Sequence, residues 1–233
     1  MKTIGLIGGT SWVSTIDYYR GINQITNESL GGLQSAKILL YSVNFAEFKP
    51  DPTTDWTTIG KKLASIAKTL ENAGADCILI CANTMHMVAD TVQSNIQIPL
   101  IHILEETGKE IKAQKVSKAG LLGTQVTMEH SFFKRKLSDY GIQTLIPDLE
   151  DRHFIQTTIF SELNKGVFPG KTKERYVNII DKLVEGGAEG IILGCTEIPL
   201  LIKQEDCTVP TFDTTMIHVR AAVRFALNDD QED

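Results

Sequence analysis

The sequence predicts an α/β protein built as two pseudo-symmetric, doubly wound lobes with parallel sheets. Two observations carry this. Short apolar runs alternate with longer stretches of helical period, the pattern of parallel strands joined by crossover helices. The chain also repeats itself. Gly74-Ala75-Asp76-Cys77-Ile78-Leu79-Ile80-Cys81-Ala82-Asn83 matches Gly187-Ala188-Glu189-Gly190-Ile191-Ile192-Leu193-Gly194-Cys195-Thr196 at an offset of 113 residues. Gly5-Leu6-Ile7-Gly8-Gly9-Thr10 matches Gly120-Leu121-Leu122-Gly123-Thr124 at 115, and Ile98-Pro99-Leu100 matches Val209-Pro210-Thr211 at 111. Three matches in one order at nearly one offset point to two copies of one α/β unit.

The apolar runs place strands at 3–8, 36–43, 76–81 and 99–102 in the first copy, and at 118–122, 142–146, 190–194 and 209–212 in the second. Runs this short and this continuously apolar suit strands covered on both faces. Between the second and third strands, Trp56, Ile59, Leu63, Ile66, Leu70 and Ala73 recur three or four apart, as on one face of a helix. Tyr176, Ile179, Ile180, Leu183 and Val184 do the same before the strand at 190–194. Pro147–Asp151 and Phe168-Pro169-Gly170 read as loops.

Composition narrows the class. With 42% hydrophobic and 22% charged residues in 233, the chain has material for a sizeable core, which excludes general disorder. No apolar run reaches the roughly 18 residues a membrane span needs, and the first residues, MKTIGLIGGTSW, do not read as a secretory signal. A net charge of −6 argues against a nucleic-acid partner, which calls for a basic patch. The acidic end Asp229–Asp233 adds to that charge and reads as a solvated tail. Cys77, Cys81, Cys195 and Cys207 fit neither a secreted disulfide framework nor a zinc spacing, so the expected setting is a reducing cytoplasm with no metal.

Ligands of open α/β sheets bind beyond the carboxyl ends of the strands. There the sequence offers Gly8-Gly9-Thr10-Ser11, Ala82-Asn83-Thr84 with His86, Gly123-Thr124 with Thr127, and Cys195-Thr196-Glu197. Each segment is read as opening onto a helix, whose free N–H groups favour an anion such as a carboxylate. Asn83, Thr84, Thr127 and Thr196 also suit plain helix capping. His86 suits packing or capping better than catalysis, and Glu197 suits orienting Thr196 or the thiol, or capping. Cys195, at a strand end before a helix start, is the foremost candidate nucleophile or base, since such a position lowers a thiol's pKa. Cys77 and Cys207 read as structural. Nucleotide-binding glycine loops and a Gly-x-Ser-x-Gly elbow are absent from the sequence.

At these motifs the chain resembles the aspartate/glutamate racemase family, in its aspartate racemase-like branch. The segments are IGLIGGTSW at 4–12, CANTMH at 81–86, GLLGTQVTM at 120–128 and LGCTEIPLL at 193–201. The resemblance implies two α/β lobes with the active site in the cleft between them, and a C-terminal helix that returns to the first lobe. The lobes are then 1–98 plus 213–233, and 99–212. It implies cofactor-independent chemistry on aspartate or glutamate: one cysteine removes the α-proton and a second, from the other lobe, returns a proton on the opposite face. It also implies a homodimer with a small dicarboxylic amino acid as its ligand, held by Thr10, Asn83, Thr84, Thr127 and Thr196. Lys165 matches the family's lysine for the distal carboxylate, and the family's arginine position falls near Lys49.

The chain departs from the pattern at one point. The family's first cysteine directly precedes the Asn-Thr pair, where this sequence has Ala82, and Cys81 comes one residue early. The internal repeat agrees: the mate of Cys195 is Ala82, while Cys81 pairs with Gly194. Side chains alternate faces along a strand, so Cys81 is expected to point away from where residue 82 points, unless a bulge brings it back. With one thiol in register, three activities fit: a weak or one-sided racemase, a single-cysteine decarboxylase or isomerase of the same superfamily, or a dicarboxylate-binding protein without turnover.

Overall fold

The computed structural model describes residues 1–48 and 54–227. In chain order the elements are β1 (Ile4–Gly8), α1 (Trp12–Leu30), β2 (Ile38–Ser42), α2 (Trp56–Asn72), β3 (Cys77–Ile80), α3 (Ala89–Gln93) and α4 (Ile103–Ala113). There follow β4 (Lys118–Leu122), α5 (Gln125–Glu129), α6 (Ser131–Ser138), β5 (Gln143–Leu145), α7 (Leu149–Ser161), α8 (Gly170–Glu185), β6 (Gly190–Leu193), α9 (Ile198–Leu201), β7 (Thr211–Asp213) and α10 (Thr214–Leu227). The chain divides into two compact units: Met1–Ile103 with the segment from Thr215 onward, and Leu104–Thr214.

The first unit holds a parallel sheet in the order β2-β1-β3, with Ile4 opposite both Ile38 and Cys77. The strand alternation sorts its side chains onto two layers. Ile7, Ile78 and Ile80 pack with Ile59, Leu63, Ile66 and Leu70 of α2. Ile4, Leu6, Cys77 and Leu79 pack with Tyr18 and Ile22 of α1 and with Val219, Ala222 and Val223 of α10. Each such aliphatic side chain contributes about 1.5–3 kcal/mol on burial. The helical face read from the sequence stops short of Ala73, which lies past the end of α2 and is exposed.

The second unit holds a parallel sheet in the order β5-β4-β6-β7. Its helices bury Phe133 and Leu137 from α6, Ile155 and Ile159 from α7, and Tyr176, Ile179, Ile180 and Leu183 from α8. Two expectations need correction. Pro147–Asp151 is not all loop: the Asp148 carboxylate accepts from the Asp151 N–H at 2.9 Å and starts α7 at Leu149. Nor is 99–102 a strand, for it makes a single bridge, Ile78 to Leu100. The chain turns into α4 at Ile103.

The repeat is legible in the hydrogen bonds. The Ile78 N–H donates to Pro99 O at 2.9 Å, as the Ile191 N–H does to Pro210 O at 2.9 Å. The Cys81 N–H donates to Ile7 O as the Gly194 N–H does to Leu122 O. Gln93 Oε1 accepts from the Leu100 N–H, and Gln204 Oε1 from the Thr211 N–H. Helices α2 and α8 end alike, with Gly74 at φ +95° and Gly187 at φ +92°, and with Ala75 N–H to Leu70 O and Ala188 N–H to Leu183 O closing the last turn.

A side chain at Gly74 would meet no atom within 4 Å, so only its left-handed backbone requires glycine. Gly74→Ala is expected to cost about 1–2 kcal/mol, read as a lower urea midpoint at unchanged slope. An unchanged midpoint would contradict this helix ending.

Candidate active site

In the first unit, the ends of β1 and β3 lie side by side. Gly9, at φ +87°, carries the turn after β1, where a Cβ would come within 2.3 Å of Val43 O. Its N–H donates to Thr15 Oγ1 at 2.9 Å, and Thr15 Oγ1 donates to Ser11 O at 2.8 Å. This closed loop buries Thr10 and Ser11, whose hydroxyls have no hydrogen-bond partner among the described residues. Ser11 stands at the N-cap of α1 without capping it. Buried hydroxyls left this way cost stability, and a bound ligand would satisfy them.

At the end of β3 the chain turns tightly around Cys81, with the Ala82 N–H donating to Ile80 O at 2.8 Å. Cys81 is fully buried in the layer formed by α1 and α10, and that burial raises its pKa. Ala82 belongs to the α2 layer and keeps 7% of its surface exposed. Asn83 and Thr84 follow, both buried, at the start of a 3-10 turn, and the Asn83 side chain makes no capping bond to it.

Behind this strand end lies a histidine cluster. The Ile103 N–H donates to His86 Nε2 at 3.3 Å, which assigns the His86 proton to Nδ1, 2.8 Å from Ala82 O. His86 therefore ties the strand end to the start of α4. His218 on α10 is 2.7 Å from Ile101 O through Nε2 and 2.9 Å from the Tyr18 hydroxyl through Nδ1. The His86 ring lies 4.8 Å from His102 and 5.7 Å from His218, centroid to centroid. Burial, then the neighbouring His102 and His218, hold His86 well below the ordinary imidazole range. Burial pushes His218 down to about 3.

In the second unit, Thr124 caps α5: it accepts from the Thr127 N–H and donates to Thr127 Oγ1 at 3.1 Å. The capping role considered for Thr127 thus belongs to Thr124. Thr127 is fully buried beside the end of β6, where a Cβ on Gly194 would lie 3.5 Å from its methyl group. Cys195 follows, 7% exposed. Its Sγ donates to Glu197 Oε2 at 3.1 Å, and Thr196 Oγ1 donates to the same oxygen at 2.9 Å. Glu197 is 2% exposed, and its Oε1 has no hydrogen-bond partner among the described residues. Glu197, not Thr196, occupies the N-cap of α9, and its side chain makes no capping bond.

The expected net lowering of the Cys195 pKa at a helix start is overturned: burial outweighs the backbone N–H groups of Glu197 and Thr196, which do lower it. Helix α9 spans only four residues, too few for an appreciable dipole. Burial first, and then the charge of Glu197, raise the thiol well above its ordinary range. Lys165 is exposed in the 3-10 turn Leu163–Lys165. Lys49 lies outside the described residues, as does the acidic tail. Cys77 is buried and Cys207 half-buried, and all four cysteines are free. Among the described residues no helix is long and apolar enough to cross a membrane.

Ser11 is among the strand-end candidates of the sequence, but the Tyr18–His218 contact escapes sequence reading and leaves no signal there, since its partners lie 200 residues apart.

The fold and these strand ends define a repeated parallel α/β protein with a buried thiol–carboxylate pair at one sheet's carboxyl edge. The chain belongs to the Asp/Glu/hydantoin racemase family, whose model matches residues 7–222. A broad-specificity amino-acid racemase of Bacillus subtilis is 24% identical over 229 residues, covering 94% of this chain and 96% of that protein. A Yersinia pestis structure assigned to the Asp/Glu racemases is 46% identical with a TM-score of 0.91, covering 98% of this chain and 100% of that one. An aspartate racemase homologue from Pyrococcus horikoshii is 39% identical with a TM-score of 0.85, covering 97% and 99%.

The histidine cluster generates a pH prediction. An unfolded histidine titrates near ~6.5, whereas folded His218 does so at about 3. Between those limits the unfolded chain binds the proton and the folded chain does not. Stability is therefore full above about pH 6.5 and falls as the pH drops toward 3. The urea midpoint is expected to decline between pH 7 and pH 5, and less steeply in His218→Gln. Equal slopes would remove His218 from the account.

Proposed function

We propose that the protein is a cofactor-independent amino-acid racemase acting on aspartate or glutamate, with Cys195 as its acid–base thiol. The observation that carries this is the buried Cys195–Thr196–Glu197 hydrogen-bond set at the end of β6 in a chain of this family. In this reading Asn83, Thr84, Thr127 and Thr196 take the substrate's α-carboxylate, Thr10 lines the pocket, and Lys165, with Lys49, attracts the distal carboxylate. Cys195 removes the α-proton, leaving the electron pair on the α-carbon, and the carbanion is reprotonated from one side or the other.

The other half of the chemistry is vacant in this reading. Ala82 takes the place of the family's first cysteine, and its methyl group carries no proton. Two observations support that register: Cys81 packs with α1 and α10 while Ala82 packs with α2, and the Cys81 N–H bonds as the Gly194 N–H does. Water then returns the second proton, so activity is weak or favours one enantiomer. The same vacancy favours a second reading, a single-cysteine decarboxylase or isomerase in which Cys195 protonates a carbanion. A dicarboxylate-binding protein without turnover completes the set, and only α-proton exchange separates it from the first two.

The exposed row Trp12, Ile16 and Tyr19 along α1 supports a homodimer. Four free cysteines support a reducing, cytoplasmic setting.

Two experiments test the proposal. With L- and D-aspartate and glutamate in D₂O, the native protein is expected to exchange the α-proton of one enantiomer faster, and Cys195→Ser to abolish exchange. Ala82→Cys is expected to raise racemisation, because a general acid or base typically contributes ~10²–10⁴-fold. Equal native activity on both enantiomers, lost in Cys81→Ala, would assign the second base to Cys81 and refute the register. Separately, Lys165→Ala is expected to weaken aspartate binding tenfold or more and alanine binding little. Equal loss for both would make Lys165 structural.

A further inference from the structure

We propose that Glu197 is the proton partner of Cys195, taking the thiol proton as the sulfur becomes a base and returning it afterwards. The inference rests on the reading of Cys195 as an acid–base thiol and explains how that thiol works where it sits.

The difficulty is physical. Cys195 is almost wholly enclosed, and its burial together with a neighbouring carboxylate opposes a resting thiolate. A buried thiol becomes a base only if its proton has somewhere close to go. The structure supplies one acceptor in contact, Glu197 Oε2, 3.1 Å from Sγ. The carboxylate serves no evident structural purpose: it stands at the N-cap of α9 without capping it, and it makes no ion pair among the described residues. Oε2 takes donors from both Cys195 and Thr196, whereas Oε1 is buried with an open acceptor position. A buried carboxylate held by one thiol and one hydroxyl donor, with no cation among the described residues, is an unfavourable structural device but a workable proton acceptor.

The step balances without another reactant. The S–H bond of Cys195 breaks, its electron pair stays on sulfur, and the proton moves to Glu197 Oε2. The sulfur pair then takes the α-proton, forming a new S–H bond, and the C–H electrons remain on the substrate's α-carbon. The reverse sequence delivers a proton from Cys195 and restores the pair. One negative charge is handed from carboxylate to sulfur to carbon, so the Cys195–Glu197 pair never carries two.

The test turns on a sign. Cys195 labelling by iodoacetamide is measured from pH 6 to pH 9 in native protein, Glu197→Gln and Glu197→Asp. If Glu197 accepts the proton, Glu197→Gln labels at least tenfold more slowly at pH 7, and Glu197→Asp falls between. If Glu197 acts only as a repelling charge, its removal eases thiolate formation, and Glu197→Gln labels at the native rate or faster, which overturns the proposal. Should Glu197→Gln fail to fold, Glu197→Asp carries the test. Its shorter side chain draws the acceptor back and slows labelling several-fold if the proton is passed to it. An unchanged rate would refute the transfer. The exchange assay separates this inference from the one beneath it. Exchange that survives Cys195→Ser refutes Cys195 as the base, while exchange lost in Cys195→Ser but kept in Glu197→Gln refutes only Glu197.

Discussion

Alternation of side chains along a strand is the constraint on which the rest of this site depends. In β3, Cys77 and Leu79 face α1 and α10, while Ile78 and Ile80 face α2. Cys81 continues the first series, and the tight turn at Ile80–Ala82 sets Ala82 into the second. A shift of one residue is therefore a change of layer, and no side-chain rotation recovers it. The backbone bonds of Cys81 and Gly194 to the neighbouring strand set the same register in both units.

The second constraint is electrostatic. An enclosed carboxylate in contact with an enclosed thiol adds to the burial that opposes the thiol's ionisation. This is why Cys195 cannot be judged as an isolated cysteine. Its placement by sequence was sound, at the end of a strand. The inference of an activated thiolate failed because the helix that would have stabilised it spans four residues and the nearest charge is negative. Glu197 sets the surroundings of the thiol, and both residues could be read from Gly194-Cys195-Thr196-Glu197, although not their burial.

How far a sequence reveals such a site depends on the range of the contacts. Strands β1, β3, β4 and β6 were visible because buried parallel strands are short unbroken apolar runs, and the repeat confirmed their pairing into units. The segment at 99–102 misled because its composition resembles that of β7, while it pairs through a single bridge. The segment Pro147–Asp151 reads as a loop because Pro147 and Asp148 are turn residues, until the aspartate is seen as the cap that starts α7. The Tyr18–His218–Ile101 set lay beyond reach, since three distant segments must fold before it exists.

Comparison of the two units, each taken alone, shows where divergence was permitted. The contacts that pin the backbone are preserved in kind: glutamine at 93 and 204, proline at 99 and 210, left-handed glycine at 74 and 187. At the strand end the counterparts differ in chemistry, with Ala82-Asn83-Thr84 in one unit and Cys195-Thr196-Glu197 in the other. An amide and a hydroxyl can bind an anion, but neither they nor a methyl group can serve as an acid or base near neutral pH. A thiol and a carboxylate can. Hydrogen bonds that position the backbone resist substitution because their loss leaves buried polar groups unsatisfied, whereas the side chains just past the strands are free to vary without unmaking the sheet. Among these counterparts the thiol and the carboxylate stand together at the end of β6, and the end of β3 carries neither in the same register.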